Sequence, residues 1–423
     1  MIDHAKRTRG RLAAAVIGVD AGKFTHTLVV RPKDQPDSKP VTFATTRAEF
    51  DLAVQAIHAL APGARPEDML VGIEFAGSCG HTLAHYLHLR GFPVVSVLPA
   101  DTKRWKETAH GLPLKTDAKD ALGITDLAWQ GKFVGFPFLQ PAYAELRALV
   151  NARDRLVILR KAAITRIKSN LQVVWPEFER IFPNFTKRTP LVFLEAFPGP
   201  EELERASKAR VLRVLAEASR GHLGTKRYQA LREAAVHTLA LPHARETLKA
   251  EIRAQLAQSR LYEAQLAELE QRMTAALEPL PEAAALLTIP NVGPVTAAVF
   301  LGSVGDPQAY SSGREILRIA GLTLVEASSG IHRGQKRISK RGRPSLRQMA
   351  YMFAVRSIRR EGLFRREYDG LYARNGGKGT KALVGVMRSA LRLMYAIARD
   401  RRRFTALPPV RPPRKGTTPD VAA

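Results

Sequence analysis

The chain has 423 residues, with 66 Lys and Arg against 39 Asp and Glu and a net charge of +27. That length exceeds one ordinary core and points to two or three domains, and the charge calls for a polyanionic partner, nucleic acid before membrane surface. No apolar run reaches the ~18 residues that span a bilayer, residues 1–7 lead into no cleavable apolar segment, and the single cysteine, Cys79, excludes an internal disulfide and a multi-cysteine zinc site.

The expectation is therefore a soluble cytoplasmic protein without a membrane role. Its charge is uneven. Residues 331–403 hold 21 Lys and Arg against 4 Asp and Glu, a local balance of +17. The C-terminal region is the main electrostatic footprint, and binding there should be strongly salt-dependent, because neutralised phosphates release counterions.

Residues 13–135 read as alternating strands and helices. Apolar runs at 13–19 and 26–31 flank a turn at Gly22, and residues 41–44 suit a third strand. Residues 49–60 place Phe50, Val54, Ile57 and Leu60 on one helical face. Residues 69–73 suit a strand. Residues 79–90 suit a helix closed by Gly91, and 93–98 suit another strand. Thr116 is positioned to cap a helix running to about Trp129. Three strands, helix, strand, helix, strand, helix is the order of a ribonuclease-H-like fold, here placed at residues 12–135.

A Phe/Pro/Gly-rich linker at 133–141 follows. Residues 144–175 have a long helical pattern, 178–200 read as an irregular turn, 203–216 are helical again, and 228–277 read as helical almost without a break. Two long helices around a turn suit either a coiled-coil arm or an ordinary bundle. This central helical region is taken as 140–283. A mainly helical C-terminal domain follows at 284–403, and the Pro/Lys/Thr-rich tail at 404–423 is expected to be disordered. In the C-terminal domain, Pro290-Asn291-Val292-Gly293-Pro294-Val295-Thr296 suits the hairpin of a helix-hairpin-helix element. Gly293 permits a tight turn, and the free N–H groups of the next helix can face a phosphate. A plain helix corner is the alternative.

Four acids carry the chemistry. Asp20 ends the first apolar run, Glu74 ends the run at 69–73, and Asp117 and Asp120 lie three apart at a helix start. Taken singly, each suits a strand end, a turn or a helix dipole. Together they fall where this fold gathers side chains at one end of the sheet. Carboxylates so close repel and need a cation; two Mg²⁺ ions ~3.5–4 Å apart would clamp both oxygens of a phosphoryl displacement. Lys23 and His26 suit phosphate contacts or a solvated turn equally. Ser329, in Ser328-Ser329-Gly330, precedes the basic stretch holding Arg333, Lys336, Arg337, Lys340, Arg341 and Arg343. A serine needs its proton removed and its leaving group stabilised, and adjacent cations can hold a scissile phosphate. By composition alone, a Ser-Ser-Gly loop reads as a turn.

The chain resembles the transposases of insertion-sequence family 110, the bridge-RNA-guided recombinases, over nearly its whole length. Val16-Ile17-Gly18-Val19-Asp20 with Lys23 and His26, Gly72-Ile73-Glu74, and Lys115-Thr116-Asp117-Ala118-Lys119-Asp120-Ala121 are similar to the motifs of the family's RuvC-like DEDD domain. Ile289-Pro290-Asn291-Val292-Gly293-Pro294, Ala320-Gly321-Leu322, Ser328-Ser329-Gly330 and Ile338-Ser339-Lys340-Arg341-Gly342 are similar to its second transposase domain. Leu324 departs from the proline of many relatives.

The resemblance implies a DNA recombinase of a bacterial mobile element. Asp20, Glu74, Asp117 and Asp120 would bind Mg²⁺, and Ser329, with Ser328 as the fallback, would form a phosphoserine intermediate with DNA. It also implies donor and target DNA and a non-coding guide RNA as partners, a homodimer or homotetramer, and a place at the bacterial nucleoid. The rival expectations are a Holliday-junction-resolvase-like nuclease using metal-activated water, and a non-catalytic nucleic-acid-binding protein.

Overall fold

The computed structural model describes residues 10–75, 77–110, 116–136, 138–185, 187–329 and 332–405, with backbone alone at 109–110, 327–329 and 332–336. The tail from residue 406 lies outside the described residues. The chain divides into two compact units, Met1–Phe138 and Leu139–Ala423.

The first unit holds β1 (Ala15–Ala21), β2 (Thr25–Pro32), β3 (Val41–Ala44), α1 (Arg47–Leu60), β4 (Met69–Glu74), α2 (His81–His88), β5 (Val94–Val97), α3 (Pro99–His110), α4 (Asp117–Trp129) and β6 (Val134–Gly135). The strands form one sheet in the order β3-β2-β1-β4-β5-β6. β2 runs antiparallel to β1 and β3, β4 runs parallel to β1 and β5, and β6 returns antiparallel to β5. This is the order of elements expected from the sequence, with α3 and β6 added.

Caps explain two of the helix starts. Thr46 accepts from Glu49 N–H and Thr116 from Lys119 N–H, each satisfying a first-turn donor that has no partner inside the helix. One sheet face packs on α1 and α2 through Ile17, Val19, Leu28, Val71 and Ile73. The other packs on α4 through Val16, Leu70, Val95 and Val97.

The second unit is mainly helical. It holds α5 (Pro141–Val174), α6 (Phe178–Ile181), α7 (Arg188–Ala196), α8 (Pro200–Arg205), α9 (Lys208–Ser219), α10 (Thr225–Val236), α11 (Arg245–Leu277), α12 (Pro281–Leu286), α13 (Pro294–Val304) and α14 (Gly313–Ile319). A hairpin of β7 (Leu324–Ser329) and β8 (His332–Ile338) follows, then α15 (Pro344–Ser357), α16 (Arg365–Arg374) and α17 (Gly379–Asp400).

Three central expectations need correction. The 228–277 segment is two helices, because Pro242 within 237–244 lacks the N–H a continuous helix needs. The 203–216 segment breaks at Ser207, which caps α9. The 178–200 segment holds α6 and α7, folded around Trp175, Phe178, Phe193 and Phe197.

α5 and α11 pack lengthwise. Their ion pairs join Glu145 to Arg272, Arg153 to Glu270, Arg160 to Glu263 and Arg166 to Glu251. Rising numbers on one helix meet falling numbers on the other, so the pair is antiparallel. Two apolar cores lie at its ends, one gathering α6 to α10 and one gathering α12 to α17. Between them no residue of 151–162 or 260–272 is buried. Charge pairs therefore line the middle, where Ile158, Leu159 and Leu261 are exposed.

Candidate active site

Alternation along β1 and β4 decides which way the acids face. Ala15, Ile17, Val19 and Ala21 lie in the α1–α2 core with Met69, Val71 and Ile73. Val16 and Leu70 lie in the α4 core. Gly18, Asp20, Gly72 and Glu74 therefore take the α4 side. The parallel register sets Gly18 opposite Gly72 and Asp20 opposite Glu74.

The two glycines let the helix down onto the sheet. A β-carbon on Gly18 would stand 2.4 Å from the Ala121 carbonyl oxygen, and one on Gly72 would stand 3.0 Å from Ala128 Cβ. With Ala121 and Ala128 seated over these positions, the first turn of α4 carries Asp117 and Asp120 to the strand ends that bear Asp20 and Glu74. Asp120 is buried and Asp117 exposed.

The electrostatics show that the four acids share one field. The Asp20 carboxyl is pushed up to about 6, first by burial and then by the charges of Asp120, Asp117 and Glu74; Lys106 opposes the rise. Lys106 Nζ lies 2.6 Å from Asp120 Oδ1. That oxygen is shielded from solvent and has no partner with hydrogen-bond angles, so charge alone holds it.

Hard carboxylate oxygens, one of them buried and unbonded, fit a divalent cation such as Mg²⁺. Among the described residues, no three His, Cys, Asp or Glu side chains converge into a ready-made metal shell. The acids share a field without forming a closed coordination sphere. Lys106 escaped the sequence reading because α3 was not expected. Its segment is charged and lacks an apolar stripe; Pro99 at its first position is the one local signal.

His26 does not face a phosphate. It is buried against Phe43 and Phe50 with Nε2 3.1 Å from Thr45 Oγ1, and burial lowers its pKa. It is a neutral core group. Lys23 is exposed and lies over the Phe24 ring.

In the second unit, Ser329 ends β7 and pairs with His332 next to a register shift between Ala327 and Ser329. The side chains of Ser328, Ser329, Arg333 and Lys336 lie outside the described residues, as do Gly330 and Ile331. Arg337, Lys340 and Arg341 are exposed. Arg343 is half-buried, and desolvation lowers its pKa. The neighbouring Arg147 is held down at about 10, first by its own burial and then by the charge of Arg343. The root of the hairpin is tied by Arg347 to the Ala320 carbonyl (2.9 Å) and by Arg388 to the Leu322 carbonyl (3.1 Å). Gly293 precedes α13 in extended backbone, and α13 itself is buried from Thr296 to Val304.

An acid-bearing α/β unit followed by a mainly helical unit with a basic hairpin belongs to a class of protein that the comparisons define. Residues 17–176 match a family model described as a transposase, the DEDD domain of IS110 elements. Residues 283–369 match a second, described as the transposase of the IS116/IS110/IS902 family. The class is insertion-element transposase, an enzyme that binds DNA, cleaves it and rejoins it.

The chain belongs to the IS110 family. It is 28% identical to an uncharacterized 44.8 kDa protein of insertion element IS116 from Streptomyces clavuligerus, over 93% of this chain and 97% of that protein. It is 27% identical to an uncharacterized 42 kDa protein of IS900 from Mycobacterium paratuberculosis, over 90% and 95%. It is 26% identical to an uncharacterized 43.6 kDa protein of IS110 from Streptomyces coelicolor, over 91% and 94%. No helix among the described residues is long and apolar enough to cross a membrane.

Proposed function

We propose that this transposase exchanges DNA strands through a phosphoserine intermediate at Ser329, with Asp20, Glu74, Asp117 and Asp120 holding Mg²⁺. The observation that carries this reading is the in-register pair Asp20 and Glu74 beneath the first turn of α4, where burial and then the charges of Asp120, Asp117 and Glu74 raise the Asp20 pKa. Residues 12–135 form the metal domain in this reading, 284–403 the serine domain, and 140–283 the arm between them.

When bound, the divalent ion supplies charge neutralisation for a pentavalent phosphorus. The chain's own residues do the rest. Ser329 Oγ gives up its proton and bonds to phosphorus while a P–O bond to deoxyribose breaks and leaves a sugar hydroxyl. Arg333, Lys336, Arg337, Lys340, Arg341 and Arg343 bind backbone phosphates along the hairpin, and the start of α13, after the extended Gly293, offers the backbone N–H groups of Val295 and Thr296 to another. Strand rejoining is the reverse attack, by a different hydroxyl. A guide RNA chooses the DNA, and two or four copies assemble on it. The basic C-terminal balance supports a second polyanionic partner of this kind.

The test is trapping. The transposase is incubated with RNA transcribed from the element's non-coding flank and with DNA spanning the element end, then denatured and searched for a protein–DNA adduct. An adduct with Ser329→Ala overturns the serine assignment, and full activity with Asp120→Ala overturns the metal assignment. One observation favours a second reading: all four acids lie in the first unit, as in a nuclease that uses metal-activated water. Cleaved ends without an adduct would establish that alternative.

A further inference from the structure

Two side chains of α3 are tied to α4. The ring of Trp105 lies against Gly123, where a β-carbon would come within 2.5 Å of it. Its Nε1 donates to Asp126 Oδ2 at 3.1 Å, and Asp126 is in turn paired with Arg31 at 2.7 Å. The next residue, Lys106, sends its ammonium to Asp120 Oδ1 at 2.6 Å, with 8% of the Asp120 side chain and 30% of the Lys106 side chain exposed. Trp105 is thus fixed by packing, whereas Lys106 reaches the acids on a flexible four-carbon stem whose open side faces water.

We propose that Lys106 is the protein's own counter-cation for the acid group. It occupies Asp120 while no divalent ion is bound and must release it when one arrives, so that metal loading is a cation exchange. This rests on the metal reading of the acid group given above. Two cations at one carboxylate oxygen repel each other, so the ion and the ammonium exclude one another at Oδ1. Without Lys106, Asp20 and the three carboxylates whose charges add to the effect of its burial would face each other with less compensation. With Lys106 the four acids are held together, at the cost of apparent metal affinity, which falls by the fraction of time that the oxygen is taken. Lys106 is a positioning residue in this scheme: it sets when Asp120 becomes available and touches no substrate.

The probe is Mn²⁺, titrated into the full-length protein without nucleic acid and followed by electron paramagnetic resonance of the free ion. K106M should bind Mn²⁺ about tenfold more tightly than wild type, the factor for an oxygen occupied about nine-tenths of the time. K106R, which keeps the charge, should stay within about twofold of wild type on the same reasoning. In EDTA, K106M should melt at a lower temperature than wild type, and Mn²⁺ should recover the difference. Equal or weaker Mn²⁺ binding by K106M overturns the cation exchange and leaves the metal reading standing. Absence of saturable binding by both proteins overturns the two together.

Discussion

Gly18 of β1 lies so close beneath Thr125 of α4 that a β-carbon on it would stand 2.3 Å from Thr125 Oγ1 and 2.4 Å from the Thr125 backbone nitrogen. This contact sets the height of the helix over the sheet. It thereby decides whether Asp117 and Asp120 reach Asp20 and Glu74.

Gly18→Ala should therefore unseat α4. The clash is with backbone, which cannot rotate away, and overpacking of this kind costs about 1–3 kcal/mol. Denaturant unfolding should show a loss in that range. Metal-dependent cleavage should fall further than stability does, because the acids separate. A variant of wild-type stability would show that the helix does not rest on Gly18.

The raised Asp20 pKa makes a signed prediction. Its folded value, about 6, lies above the ordinary carboxylate range, so the folded chain binds this proton more tightly than the unfolded chain. Stability without metal then falls as pH rises between about 4 and about 6, and the loss persists above. Asp20→Asn removes the titration. In EDTA it should melt above wild type at pH 7, with the advantage vanishing near pH 4. Melting curves across that window that stay parallel would refute the shift.

Glu282 tests a buried carboxylate of the second unit. Its side chain is 1% exposed, with Arg401 Nη2 at 2.7 Å, joining the start of α12 to the residue that ends α17. Arg401 is half exposed and Tyr143 also hydrogen-bonds the carboxylate, so Arg401→Met should cost about 1–3 kcal/mol, the range for a buried polar group that loses one partner. Adding Glu282→Gln should recover most of that loss. A double-mutant cycle by chemical unfolding reads both numbers.

DNA binding should depend on salt through the exposed hairpin cations. Replacing Arg337, Lys340 and Arg341 together by Ala should lower the slope of log affinity against log salt by about 2–3, near one per lost phosphate contact. The loss should be similar for unrelated DNA sequences. An unchanged slope would remove these residues from the interface.

The first unit was legible in the sequence where apolar periodicity was strong. β1, β4 and α4 show it, because each must bury one face in a core that spans the sheet. The remaining elements carry weaker signals. β6 has two residues, too few for any pattern. β8 reads His332-Arg333-Gly334-Gln335-Lys336-Arg337-Ile338, with no alternation of apolar residues to mark a strand. α3 is rich in charge and is held to α4 by Trp105 in a glycine notch and by Lys106 on Asp120. Pro242 was a readable break that the long run of helix-forming residues around it obscured.

The sequence by itself determined the class of this protein. The four acids at run ends and at a helix start, the basic C-terminal stretch and the serine motif are local features, and each survives any rearrangement of the parts. Only the tertiary structure decided that Asp20 and Glu74 are register neighbours on the helix-covered face, that His26 is a core residue, and that Lys106 stands on Asp120. Each of these depends on strand pairing and helix docking between segments distant in the chain. Such contacts are set by packing distances of a few ångströms, which composition and spacing do not contain.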